Sequence, residues 1–217
     1  MIRGAIFDLD GVLLDSLGAW HDLGEKYIHG MGLQPVTGMD EIIFSMSMEQ
    51  GASYLKDTFH LEKAEEEIAA DLEQMLRGYY CQEVMAKEGA ADILAFLQKK
   101  GVKMAAATSS PRFHVTEALK RLGLYSFMLD IYTTSEVGES KHSSRIYELA
   151  AQHLGCPAED ILVFEDSLYA LQTAKAAGFR CVGVYDARGE TDQQGLKTAA
   201  DIYLQSLKEF PVKWREV

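Results

Sequence analysis

The feature that most constrains this chain is a recurring alternation of short apolar runs with helical stretches. The runs cover residues 5–7, 102–107, 128–132, 161–164, 181–185 and 202–204. They are apolar nearly throughout rather than at every second position, as in parallel strands buried on both faces. Between them lie helix patterns. Ile93, Leu94 and Leu97 share one helix face at i, i+1, i+4 spacing. Gly123, Gly155 and Gly178 each follow a helical stretch, where a helix-terminating glycine is expected. Strand and helix in alternation predict an α/β fold, a Rossmann-like, mainly parallel sheet.

One segment breaks the alternation. From residue 17 to 85 no convincing strand pattern occurs, and residues 19–31, 39–44, 51–59 and 64–80 read as helical. The expected organisation is therefore a core of residues 1–16 and 86–217 with a small α-helical domain, 17–85, inserted after the first strand. The acidic run at 62–67 reads as a solvated helix face. At 217 residues and 47% apolar composition the chain can bury a substantial core without staples.

Composition excludes several function classes. A net charge of −12 gives no basic footprint for nucleic acid. Three scattered cysteines, Cys81, Cys156 and Cys181, form no CxxC pair, so neither a zinc site nor a disulfide framework is suggested. Reduced thiols, no apolar run of membrane-spanning length, and an acid as early as Asp8 point to a cytoplasmic protein with no membrane partner. A monomer is the default expectation.

In open α/β sheets, sites gather beyond the carboxyl ends of the strands. After the first run stand Asp8, Leu9, Asp10 and Gly11; after the second, Thr108, Ser109 and Ser110; after the fourth, Glu165 and Asp166. Lys141 follows the third run after a loop. Asp8, Asp10 and Asp166 are hard oxygen donors without sulfur or imidazole, a set suited to Mg2+. A carboxylate can also attack phosphorus, and a second carboxyl two residues on can protonate the leaving oxygen and later activate water. The hydroxyls of Thr108 and Ser109 and the ammonium of Lys141 suit phosphoryl oxygens.

Phe7-Asp8-Leu9-Asp10-Gly11-Val12-Leu13 resembles the first motif of the haloacid dehalogenase-like superfamily. Ala107 to Ser110 is similar to its second motif, Lys141 to its third, and Val163 to Ser167 to its fourth. The likeness is to the branch with a helical cap after the first motif, which includes phosphoglycolate phosphatases and β-phosphoglucomutases. The resemblance implies Asp8 as nucleophile and metal ligand. Asp10 becomes the acid/base, with its main-chain carbonyl on magnesium. It also implies Thr108 and Ser109 as phosphoryl binders, Lys141 as the charge-stabilising residue that orients Asp8, and Asp166 as a metal ligand supported by Glu165. Asp10 speaks against dehalogenation, because dehalogenases of the superfamily lack that acid/base.

Three departures sharpen the expectation. The third motif, Lys141-His142-Ser143-Ser144-Arg145, lacks the family's prolines and has Arg145 where an aspartate is common, pointing to a looser loop with added positive charge. Trp20 stands where the mutases carry a cap histidine, with His21 beside it. The stretch 44–50 has no basic residue to hold a substrate's second phosphate. A phosphatase of a small phosphorylated metabolite, working through an aspartyl-phosphate, is favoured over a sugar-phosphate mutase. A non-catalytic binding module is the reading from another class, disfavoured by the intact residue set. Trp20, with Met46 and Met48, is expected to form an apolar wall over the leaving group, or else to belong to the helical domain's own core.

Overall fold

A computed structural model of the chain describes residues 1–44 and 46–216. Two compact units result: Met1–Asp15 with Val84–Val217, and Ser16–Glu83 between them in sequence. Among the described residues no helix is long and apolar enough to cross a membrane.

The first unit begins with β1 (Gly4–Phe7) and β2 (Leu14–Asp15). The second contains α1 (Leu17–His21), α2 (Leu23–Gly30), α3 (Met39–Phe44), α4 (Met48–Phe59) and α5 (Glu65–Gln82). The chain then returns through β3 (Met85–Ala86), α6 (Ala90–Lys99), β4 (Lys103–Thr108), α7 (Arg112–Arg121), β5 (Ile131–Thr133) and α8 (Thr134–Val137). It ends with α9 (Arg145–Leu154), β6 (Ile161–Glu165), α10 (Leu168–Ala176), β7 (Arg180–Val184), α11 (Gln193–Ala199), β8 (Ile202–Leu204) and α12 (Phe210–Lys213).

The predicted sheet is present. Its strands run in the order β5-β4-β1-β6-β7-β8, and every pairing is parallel. Successive strands step outward from β1 in both directions, so the order reverses beside β1, and ligands bind at such a reversal. The registers Phe7↔Ala106 and Phe7↔Phe164 bring the ends of β1, β4 and β6 level.

Period-2 alternation decides which way each side chain faces. Ile6, Ala105 and Val163 pack in one core with Ile146, Ala150 and Leu154 of α9 and Leu171 of α10. Phe7 and Phe164, one residue on, face the other way and stack at 4.3 Å. Phe164 then meets Phe210, which with Trp214 and Phe96 completes an aromatic layer. Both faces are thus covered, as a parallel sheet requires.

The second unit is held by its own stripe. Ile68, Leu72, Leu76 and Tyr80 recur every four residues along α5 and are all buried. Ser47 and Gln50 close a capping box at the start of α4. Glu65, Glu66 and Glu67 form the first turn of α5, where negative charge favours the helix. The β2–β3 pair has no counterpart in the sequence reading, since two-residue strands are too short to show a period. The third apolar run yields a later strand than expected: residues 125–127 form a 3-10 turn, and β5 begins only at Ile131.

Candidate active site

The site lies wholly within the first unit. Residues two apart in a strand share a face, so Asp8 continues the side of Ile6, and Glu165 that of Val163. Both carboxylates therefore emerge on the α9 side, where Lys141 arrives from the loop before that helix. The Lys141 ammonium donates to Asp8 Oδ1 at 2.5 Å and to Glu165 Oε1 at 2.7 Å. The Tyr147 hydroxyl, from the first turn of α9, donates to the same Glu165 oxygen at 2.7 Å. Asp8, Lys141, Tyr147 and Glu165 are all buried. The Asp8 backbone N–H is fixed on the Phe164 carbonyl at 2.9 Å, joining the first and fourth motifs directly.

Asp166 completes an acidic group. Carboxylate oxygens of Asp8, Glu165 and Asp166 lie within 4.8 Å of one another, and all three residues are buried. Burial, only partly offset by the Lys141 charge, raises the Asp8 carboxyl well above the ordinary range, and Glu165, Asp166 and Asp10 push it further. Burial followed by the Glu165 charge pushes Asp166 up to about 8. Burial alone would lower Lys141, but the Asp8 and Glu165 carboxylates outweigh it and hold the ammonium charged. Three buried carboxyls thus face one buried cation. A hard divalent cation would relieve that excess of negative charge, and oxygen donors alone are what it takes. Glu165 Oε1 already serves Lys141 and Tyr147, so Asp8 and Asp166 are the carboxylates better placed to ligate.

Asp10 departs from the expected convergence. Its carboxylate is not in the Asp8–Glu165–Asp166 group; Oδ2 accepts from Ser110 Oγ at 2.6 Å and Thr108 Oγ1 at 3.3 Å. The reason is the turn. Leu13 and Leu14 both return their N–H groups to the Leu9 carbonyl, and Gly11 sits at φ 75°, so strand alternation ends at Asp8. Thr108 Oγ1 also accepts from the Ser110 N–H at 3.0 Å. Ser109 is exposed beside them.

The third-motif loop, without prolines, is tied by serines. Ser143 N–H returns to the Ser140 carbonyl at 3.0 Å, Arg145 N–H donates to Ser143 Oγ at 3.2 Å, and Ser144 Oγ donates to Glu148 at 2.6 Å. Arg145 is exposed at the start of α9. His142 stacks on Tyr169 at 4.4 Å.

In the second unit, the Trp20 indole N–H donates to the Tyr80 hydroxyl at 2.8 Å, and His21 stacks on Phe44 at 3.7 Å. Met46 and Met48 are half-buried. Ser45, within the stretch read as lacking a basic residue, lies outside the described residues.

Sequence reasoning missed Ser110 and Tyr147 as members of the site. Ser110 stands in the same Thr-Ser-Ser run as Ser109, and only the turn that brings the Asp10 carboxylate to its hydroxyl distinguishes it. Tyr147 gives the fainter signal of a polar tip on an otherwise apolar helix face.

The model of the haloacid dehalogenase-like hydrolase family matches residues 5–184, which includes every one of these site positions. The chain belongs to that family. Among curated relatives, a phosphorylated carbohydrates phosphatase of Thermotoga maritima is 26% identical over the whole of both chains. Hexitol phosphatase A of Escherichia coli is 28% identical, covering 97% of this chain and 94% of its own. Among solved structures, a Thermotoga maritima protein provisionally named a β-phosphoglucomutase aligns over all of both chains with TM-score 0.87 at 24% identity, a likeness of fold.

Proposed function

We propose that the protein is a magnesium-dependent phosphatase of phosphorylated carbohydrates that works through an aspartyl-phosphate on Asp8. The observation that carries this reading is the buried Asp8–Lys141–Glu165 contact beside Asp166, in a chain whose full-length relatives include phosphatases of phosphorylated carbohydrates and hexitols.

In the first step an Asp8 carboxylate oxygen attacks phosphorus and the bond to the leaving oxygen breaks. Asp10 gives its proton to that oxygen, so the product leaves as a neutral alcohol. In the second step Asp10, now a carboxylate, takes a proton from water as the water oxygen attacks phosphorus. The bond to Asp8 breaks, inorganic phosphate leaves, and both carboxyls return to their starting states. Lys141 holds Asp8 in one rotamer and keeps positive charge against the transferring group. Bound magnesium would be held by Asp8, Asp166 and the Asp10 main-chain carbonyl, and would neutralise phosphoryl charge. Thr108 and Ser109 would donate to phosphoryl oxygens, Thr108 by giving up its present bond to Asp10. Water is the expected acceptor, because the stretch 44–50 contains no basic residue for a second phosphate.

A panel of sugar, hexitol and glycolate phosphates, assayed for phosphate release with magnesium and with EDTA, tests the reading. Release from carbohydrate phosphates that stops with EDTA is expected. No release from any of them, or undiminished release in EDTA, would count against it.

A further inference from the structure

Lys87 lies just after β3, where the chain re-enters the first unit, and belongs to none of the motifs. Its ammonium donates to the Gly11 carbonyl at 2.7 Å, the Tyr185 carbonyl at 2.8 Å and Asp186 Oδ2 at 2.7 Å. An ammonium has three protons to give, and these acceptors use all three. Lys87 is therefore not a spare cation for a substrate phosphate, and its side chain is only 17% exposed. Its backbone N–H is also engaged, on the Leu13 carbonyl at 2.9 Å.

What these bonds hold is the turn that carries Asp10. The Gly11 carbonyl is one peptide beyond Asp10, and Gly11 sits at φ 75°, a conformation open to glycine at little cost and equally easy for it to leave. Lys87 grips that turn at Gly11 through its side chain and at Leu13 through its backbone. The far end of the clamp is also fixed. Asp186 Oδ1 accepts from the Arg188 N–H at 2.8 Å, and Tyr185 donates its N–H to the Leu204 carbonyl at 2.9 Å. From the same loop, Glu190 accepts the Leu168 N–H at 2.9 Å, at the start of α10 just after Asp166.

We propose that Lys87 is a positioning residue for proton transfer, clamping the Asp10 turn to the loop after β7 so that the Asp10 carboxyl is held where the leaving oxygen departs. The inference rests on the phosphatase reading above. It extends the acid/base machinery to a residue 76 positions from Gly11 and to the charge of Asp186.

The test uses two phosphomonoesters. A sugar phosphate releases an alkoxide, which needs a proton as it departs. p-Nitrophenyl phosphate releases a phenolate stable enough to leave without one. The ratio kcat/KM reports steps up to the first irreversible one, here phosphoryl transfer to Asp8. General acid catalysis is commonly worth 10²–10⁴-fold, so a displaced acid in Lys87→Met should cost about tenfold or more on the sugar phosphate. On p-nitrophenyl phosphate the change should stay within about threefold, because Asp8 and Lys141 are untouched; both esters are assayed at saturating magnesium, so that the effect of the Lys87 charge on Asp166 does not enter the comparison. Equal losses on the two substrates, or none on either, would overturn the proposal. If Lys87→Met does not fold, the same comparison is made in Lys87→Gln, whose amide keeps a donor for the Gly11 carbonyl without the charge. The same two outcomes decide it. Should wild-type protein hydrolyse neither ester, the phosphatase reading fails, a result distinct from failure of the clamp.

Discussion

Replacing Lys141 with methionine removes a cation that two buried carboxylates share and puts an apolar chain of similar length in its place. Lys141 is 3% exposed, Asp8 6% and Glu165 1%, so water cannot take over the lost contacts. At an effective dielectric constant of ~20, each contact at 2.5 to 2.7 Å carries about 6 kcal/mol of attraction, largely cancelled by the cost of burying the ions. Breaking such a pair from one side leaves the remaining charges uncompensated and costs about 3–5 kcal/mol. For a chain of this size, each kcal/mol lowers Tm by about 2–4 °C, so a fall of roughly 6–20 °C is expected in EDTA at neutral pH. The double variant Lys141→Met/Glu165→Gln removes one of the stranded charges, while the amide oxygen introduced in place of the carboxylate can still accept from Tyr147. It should therefore be more stable than the two single losses added together, by about 1–3 kcal/mol. Circular-dichroism melting of the wild type, both singles and the double gives the cycle. Additivity within about 0.5 kcal/mol, or a Lys141→Met protein that melts with the wild type, would refute the reasoning.

Other outcomes follow from the same geometry. Asp166 is raised by burial from its ordinary 3.8 to about 8, so in the metal-free protein it holds a proton near neutrality. Magnesium must displace that proton, so apparent magnesium affinity should rise as pH increases from roughly 6 to 8, with proton release seen by calorimetry in buffers of different ionisation enthalpy. A carboxyl raised on folding stabilises below its unfolded pKa and loses that contribution as pH rises through its folded one. The metal-free protein should therefore lose Asp166's contribution between pH 3.8 and about 8, read as a falling Tm relative to the magnesium-loaded form. Trp20→Ala should change the ratios of kcat/KM across the phosphate panel. Unchanged ratios would leave Trp20 with only its bond to Tyr80 inside the helical unit.

How much was legible in the sequence depends on how local each signal is. β1, β4, β6 and β7 could be read because central parallel strands must be apolar on both faces. Asp8, Glu165 and Asp166 could be read because each stands at the carboxyl end of such a strand, Glu165 as the last residue of β6 and the other two directly after β1 and β6. The β2–β3 pair and α8 were too short to carry a period. Asp10 is legible as a carboxyl in the loop after β1, but the direction of its side chain is not, because that is set by the turn at Gly11, which brings the carboxylate to Thr108 and Ser110. Lys87 leaves no trace in the sequence, since the partners of its ammonium lie 76, 98 and 99 positions away and only the folded sheet brings them together. Tyr147 was hidden for a related reason: its ring belongs to the α9 core, and only its hydroxyl reaches Glu165.

The central claim is that phosphorus passes through the Asp8 carboxylate. The most direct measurement is acid quenching of the enzyme during turnover of a sugar phosphate, followed by peptide mass spectrometry and borohydride trapping of any acyl phosphate. A single phosphoryl group on Asp8, lost once the substrate is exhausted and absent from Asp8→Asn, is the predicted result. Steady-state turnover by Asp8→Asn, or a phosphoryl group on any other residue, would contradict the account.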